Sequence, residues 1–154
     1  MKLLVAIDFS ELTERIIAEA EKLAKSLPAE VFLLHVIVPP SPIIDVPPDE
    51  EALLSPEELF NKKSLPAHFD TPESAKLIPI ANRLQESGIN TSVIVAQNDE
   101  VTAIIEESKK IGADWIMLGS KGHGALFHLI IGSVSEGVTR RATCPVIIVP
   151  SIKH

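Results

Sequence analysis

Five short apolar runs punctuate the chain: residues 3–7, 31–38, 91–96, 114–118 and 146–149. Each is four to eight residues long and continuously apolar at its centre, as strands covered on both faces require. Between them, apolar positions recur three and four apart, the spacing of a helix with one buried face. Leu12, Ile16, Ala20, Leu23 and Leu27 follow the first run, with Ser10 placed to cap their helix. A second helix is expected from Thr71-Pro72 to Ser87, ended by Gly88; Pro79 inside it either kinks it or marks its true start. Asn98 or Asp99 caps a third, with Val101, Ile104, Ile105, Ser108 and Ile111 on its apolar face and Gly112 closing it. The fourth covers residues 133–142. Strict alternation of strand and helix predicts a doubly wound, five-stranded parallel sheet with helices on both faces and right-handed crossovers. Ligands of such sheets bind beyond the carboxyl ends of the strands, where the strand order reverses.

One segment breaks the alternation. Eight of the chain's 12 prolines lie from Pro39 to Pro72, among Asp45, Asp49, Glu50 and Glu51, with no lasting period beyond a possible turn over residues 56–61. The expected organisation is one domain over 1–154 with a proline-rich surface loop inserted at about 39–71. A loop leaving the carboxyl end of the second strand also suits a lid or a docking segment.

Composition narrows the function. With 14 basic and 21 acidic residues the net charge is −7, and no Lys/Arg cluster offsets it. That argues against nucleic acid or an anionic membrane as the main partner, so any bound anion must be held locally. No apolar run approaches a membrane span, and the N-terminal run is too short for a signal peptide core. A single Cys144 excludes an internal disulfide framework, and a cytoplasmic location is expected. With no His or Lys beside it, Cys144 reads as a packing residue and not a nucleophile.

The most informative stretch is Gly119-Ser120-Lys121-Gly122, then nine residues, then Gly132-Ser133. It follows the buried run 115–118. Glycines let backbone N–H groups approach a phosphate closely. Ser133 with Glu136 reads as a capping box, so a helix should open there with its positive dipole end toward the loop. Turn glycines and a plain cap are the ordinary explanation of each part taken alone. Asp8, just past the first strand, is either a helix cap or an acceptor for paired hydroxyls. His35, on an apolar strand, reads as a satisfied core histidine.

The whole pattern G-x2-G-x9-G-[ST] resembles the nucleotide-binding signature of the universal stress protein family. Val5-Ala6-Ile7-Asp8-Phe9-Ser10-Glu11, Leu33-Leu34-His35-Val36 and Cys144-Pro145-Val146-Ile147-Ile148-Val149-Pro150 are similar to that family in order and spacing. The resemblance implies a Rossmann-like, adenine nucleotide alpha-hydrolase-like fold that binds ATP or AMP, with magnesium or manganese carried on the phosphates. It implies Gly119, Lys121, Gly122, His123, Gly132, Ser133, Val134 and Ser135 near the phosphates, Asp8 on the ribose or adenine, and Ala6 and Val36 flanking the base. The family often places a glycine after the third strand; here Ala96-Gln97-Asn98-Asp99 stands instead, which bears on nucleotide preference.

The chain has no G-x-x-x-x-G-K-[ST], no Ser-His-Asp cue and no paired-His metal spacing. The expectation is a nucleotide-binding regulatory protein that reports its bound state to an unknown protein partner. A slow ATPase or a protein phosphorylating itself at Ser133 or Ser135 is the alternative, and a nucleotide-free dimeric scaffold the third. The resemblance also implies a homodimer through the apolar last strand, Val146–Val149.

Overall fold

The structure, a computed structural model, describes residues 1–39, 71–120 and 132–151. The proline-rich stretch and the turn expected over 56–61 lie outside these residues, as do Lys121, Gly122 and His123. The elements are β1 (Lys2–Ala6), α1 (Thr13–Ser26), β2 (Glu30–Ile37), α2 (Pro72–Glu86), β3 (Thr91–Gln97), α3 (Glu100–Ile111), β4 (Trp115–Gly119), α4 (Ser133–Arg141) and β5 (Val146–Val149). All neighbouring strands are parallel, in the order β3-β2-β1-β4-β5. The chain winds outward from β1 to β3, then restarts on the other side of β1. The reversal therefore lies between β1 and β4.

Each central strand buries both faces. Leu3, Val5 and Ile7 join Leu33 and Met117 in one core, against Ile16, Ile17 and Ala20 of α1 and Leu77, Ala81 and Leu84 of α2. Leu4, Leu34, Ile116 and Leu118 face the other way, onto Ile104 and Ile105 of α3 and Val138 of α4. Fully burying one such side chain contributes about 2 kcal/mol. Exposed ion pairs such as Arg83–Glu14 at 3.0 Å contribute roughly 0.5 kcal/mol. The apolar faces, not the charges, hold the layers.

The helix ends refine the sequence expectations. Thr71 and Ser74 form a capping box, each side chain accepting from the other's backbone N–H at 3.1 and 3.0 Å. Pro72 opens α2, which continues through Pro79, so Pro79 does not mark its start. Asp99, not Asn98, caps α3 by accepting the Thr102 N–H at 2.9 Å, while Asn98 accepts the Asp99 N–H. Gly112 closes α3 in the left-handed region at φ 64°. Two expectations fail. Ser10 does not cap α1: its hydroxyl accepts the Leu12 N–H at 3.3 Å in a turn that precedes the helix. Leu27 lies beyond the last turn and is 42% exposed, while Ile17 and Ala24 take buried places instead.

α3 and α4 touch at a glycine. A Cβ on Gly137 would sit 2.7 Å from Cγ2 of Val101, and valine in a helix has almost no alternative χ1. Gly137→Ala gains about 1 kcal/mol of helix propensity but incurs roughly 1–3 kcal/mol of overpacking. The expected result is a net loss of about 1 kcal/mol in denaturant unfolding, restored when Val101→Ala is combined with it. Equal or greater stability of the single variant would show that the two helices separate freely.

Candidate functional site

Parallel register sets the carboxyl edge. Val5 of β1 pairs with Met117 of β4, so Asp8 and Ser120 each lie three residues beyond a registered pair. Two adjacent strands thus deliver an acidic side chain and a strand-ending Gly-Ser to the carboxyl edge where the order reverses.

Ser120 is the hub of this edge, although no chemical role is legible for it in the sequence. Its N–H donates to the Val149 carbonyl at 2.8 Å, and its carbonyl accepts the Gly132 N–H at 2.6 Å. Its hydroxyl accepts the Ser151 N–H at 3.0 Å, and the residue is buried. β4, β5 and the start of α4 are thereby tied together at one residue. The glycine on each side of it in the sequence motif was the visible signal; the serine was not.

α4 begins where expected, but not by the expected device. Gly132 is the N-cap, extended at φ −75° and ψ 162°, and among the described residues no side chain caps the helix. Ser133 and Glu136 form no capping box: Ser133 is already the first helical residue, and Glu136 pairs with Arg140 at 2.8 Å. Among the described residues no side chain accepts from the first-turn amides of Ser133, Val134 and Ser135, which carry the positive end of the dipole. The Ser133 side chain is exposed at this end. Ser135 is buried, and its hydroxyl donates to the Gly119 carbonyl at 2.7 Å, so that hydroxyl anchors α4 to β4. Ala6, Val36 and Val134 are half-buried on one side of the sheet, packed against the core shared with α3 and α4. Of the motif residues expected near phosphate, Gly119, Gly132, Ser133, Val134 and Ser135 come together; Lys121, Gly122 and His123 lie outside the described residues.

Asp8 is half-buried, and its Oδ1 accepts the Ser10 N–H at 3.0 Å. Phe9 beside it has φ 58°, a left-handed conformation that costs a bulky residue roughly 1–3 kcal/mol. His35 has the satisfied contact expected of a core histidine, Nδ1 lying 2.7 Å from the Ile7 carbonyl. Glu100, at the start of α3, is a neighbour the sequence did not flag. Burial raises its carboxyl above the usual range; the negative charges of Asp8 and then Asp99 add to the shift, and His35 opposes it. In the sequence Glu100 passes for an ordinary acidic residue in a first helical turn. Cys144 is half-buried and burial pushes its thiol up, the opposite of an activated nucleophile. Among the described residues no three His, Cys, Asp or Glu side chains could hold a metal ion, and no helix is long and apolar enough to cross a membrane.

The model of the universal stress protein family matches residues 1–150. Universal stress protein YxiE of Bacillus subtilis is 31% identical over 156 residues, covering 96% of this chain and 97% of its own. The solved structure of MJ0577, a universal stress protein of Methanocaldococcus jannaschii, superposes with a TM-score of 0.75 at 28% identity, over 99% of this chain and 97% of its own. A universal stress protein in complex with cAMP has a TM-score of 0.66 at 19% identity, covering 97% and 95% of the two chains. One from Archaeoglobus fulgidus in complex with dAMP has 0.62 at 18%, covering 96% of each.

Two outcomes follow from these contacts. Ser135→Ala leaves the Gly119 carbonyl without its hydroxyl donor and should lower stability by about 1 kcal/mol in thermal or denaturant unfolding; no loss would mean the hydroxyl anchors nothing. Glu100 has a folded-state pKa above the unfolded 4.5, so the folded state holds more protons between those values and wild-type stability falls as pH rises through them. The stability of Glu100→Gln relative to wild type should therefore increase from about pH 4 to about pH 7. A difference independent of pH would show that Glu100 ionises as freely folded as unfolded.

Proposed function

The chain belongs to the universal stress protein family, and on that footing we propose that it binds an adenine nucleotide at the carboxyl edge between β1 and β4. The observation that carries this reading is the start of α4, which no side chain among the described residues caps and which the Ser120–Gly132 hydrogen bond holds against the end of β4. Backbone N–H groups at a helix N-terminus are a ready phosphate site, and they need no basic surface. That suits a chain of net charge −7. The amides of Ser133, Val134 and Ser135, with Gly119 and the loop residues Lys121, Gly122 and His123, would hold phosphate. Asp8 would accept the ribose hydroxyls, and Ala6 and Val36 would flank the base. The family members solved with cAMP and with dAMP support an adenine nucleotide as the ligand class. A magnesium or manganese ion would ride on phosphate oxygens, which supply the hard ligands it prefers.

The nucleotide-bound state would be reported to a protein partner, with the chain acting as a regulatory module in the cytoplasm. Self-association through β5 belongs to this reading: β5 is an edge strand, apolar along its length, followed by Pro150. Light scattering at micromolar concentration should give the mass of a dimer. For the alternative of self-phosphorylation, Ser133 is the better acceptor, since the Ser135 hydroxyl is buried and engaged.

The test is mass spectrometry of small molecules released on denaturing the purified protein, followed by calorimetric titration with ATP and AMP. Released ATP fits binding with little turnover; ADP or AMP points to hydrolysis or to a monophosphate ligand. Asp8→Ala should weaken ATP binding by about tenfold, the loss of one charged hydrogen-bond partner. Nothing released and no heat on titration would favour the nucleotide-free scaffold.

A further inference from the structure

His35 holds the chain on both sides of Asp8. Before it, the imidazole Nδ1 lies 2.7 Å from the Ile7 carbonyl. A carbonyl only accepts, so Nδ1 carries the proton. After it, the Phe9 ring packs on the imidazole with centroids 4.6 Å apart and planes at 41°. Phe9 is also the only non-glycine residue with positive φ among the described residues, at 58°. A bulky residue stays in that region only where its surroundings over-determine it. The Lys76 ammonium, delivered by α2 at 5.3 Å from the Phe9 ring centroid, adds a second contact to the same ring. The Ile7 N–H is separately fixed by the Leu34 carbonyl at 2.8 Å. One β2 side chain thus grips residues 7 and 9, and residue 8 has its backbone direction set from both ends.

We propose that His35 is a positioning residue for the Asp8 carboxylate, acting through the Ile7 carbonyl and the Phe9 ring without touching ligand itself. The inference rests on the nucleotide reading above for its functional consequence, because a carboxylate that accepts paired ribose hydroxyls must be aimed closely to accept both. A histidine that merely fills the core would set stability and leave ribose selectivity unchanged.

The experiment compares ATP with 2′,3′-dideoxyATP by calorimetric titration of the full chain, for wild type, Asp8→Ala, His35→Ala, His35→Phe and the Asp8→Ala/His35→Ala pair. His35→Phe keeps a ring against Phe9 and removes only the hydrogen bond, so it guards against a variant that fails to fold. Wild type should prefer ATP by about tenfold. Asp8→Ala and His35→Ala should each abolish that preference while changing dideoxyATP affinity less than about twofold, and the double variant should lose no more than Asp8→Ala alone. Folded His35 variants that keep the full preference would overturn the proposal. The Ser10 amide resonance, which reports its hydrogen bond to Asp8 Oδ1 without any nucleotide, separates the two readings. If wild type binds no nucleotide, a Ser10 shift in His35→Phe matching that of Asp8→Ala supports the positioning role and removes only the nucleotide. An unmoved Ser10 resonance removes both.

Discussion

Burial of β1 and β4 on both faces is the constraint from which the remaining arrangement follows. Leu3, Leu4 and Val5 are fully buried, so each face of β1 must be roofed by helices. Parallel pairing then forces every connection to return over a face, and each helix starts at the same end of the sheet. Among the described residues, four helix starts and five strand ends consequently share one edge. Polar chemistry gathers there because backbone groups at those ends have no ladder partner of their own.

The sequence pattern was sufficient for the layers and weak for the joints. Continuous apolar runs identify strands because two-sided burial leaves no polar positions, so the five strands were legible to within a residue or so. Caps depend on a single residue's place, and there the reading slipped. Ser133 with Glu136 has the spacing of a capping box, yet the hydrogen bond from Gly132 to Ser120 moves the cap one residue earlier. Local spacing cannot register a constraint from twelve positions upstream. Ser10 falls short of α1 for a related reason: the left-handed Phe9 and a turn at Ser10–Leu12 precede the helix. Asp8 and the glycines were legible as chemistry because their residue types are unusual at strand ends. Glu100 and the Phe9–His35 contact were not, since both depend on which elements become neighbours.

The edge combines opposing fields. Asp8, Asp99 and Glu100 gather carboxylates beside β1 and α3, and the upward shift of Glu100 records its burial first and then repulsion from Asp8 and Asp99. The start of α4 offers the contrary field, confined to about one helical turn. A ligand with hydroxyls at one end and phosphate at the other matches both halves. A simple polyanion matches only one. Net acidity does not preclude an anion site of this kind, because attraction made by backbone amides is short-ranged and needs no long-range steering.

The place of β1 in the middle of the sheet has a consequence for how the chain is assembled during synthesis. The Lys2 N–H reaches the Asp114 carboxylate at 2.7 Å, across 112 positions of sequence. At ribosomal rates of about 5–20 residues per second, β1 waits roughly 5–20 seconds before its second neighbour exists. Through that interval β1 can pair on one side only, with β2, and an apolar strand destined for the interior is an open edge. α3 emerges only just before β4 and covers a face rather than this edge, so protection of β1 through that interval falls to the ribosome or to chaperones.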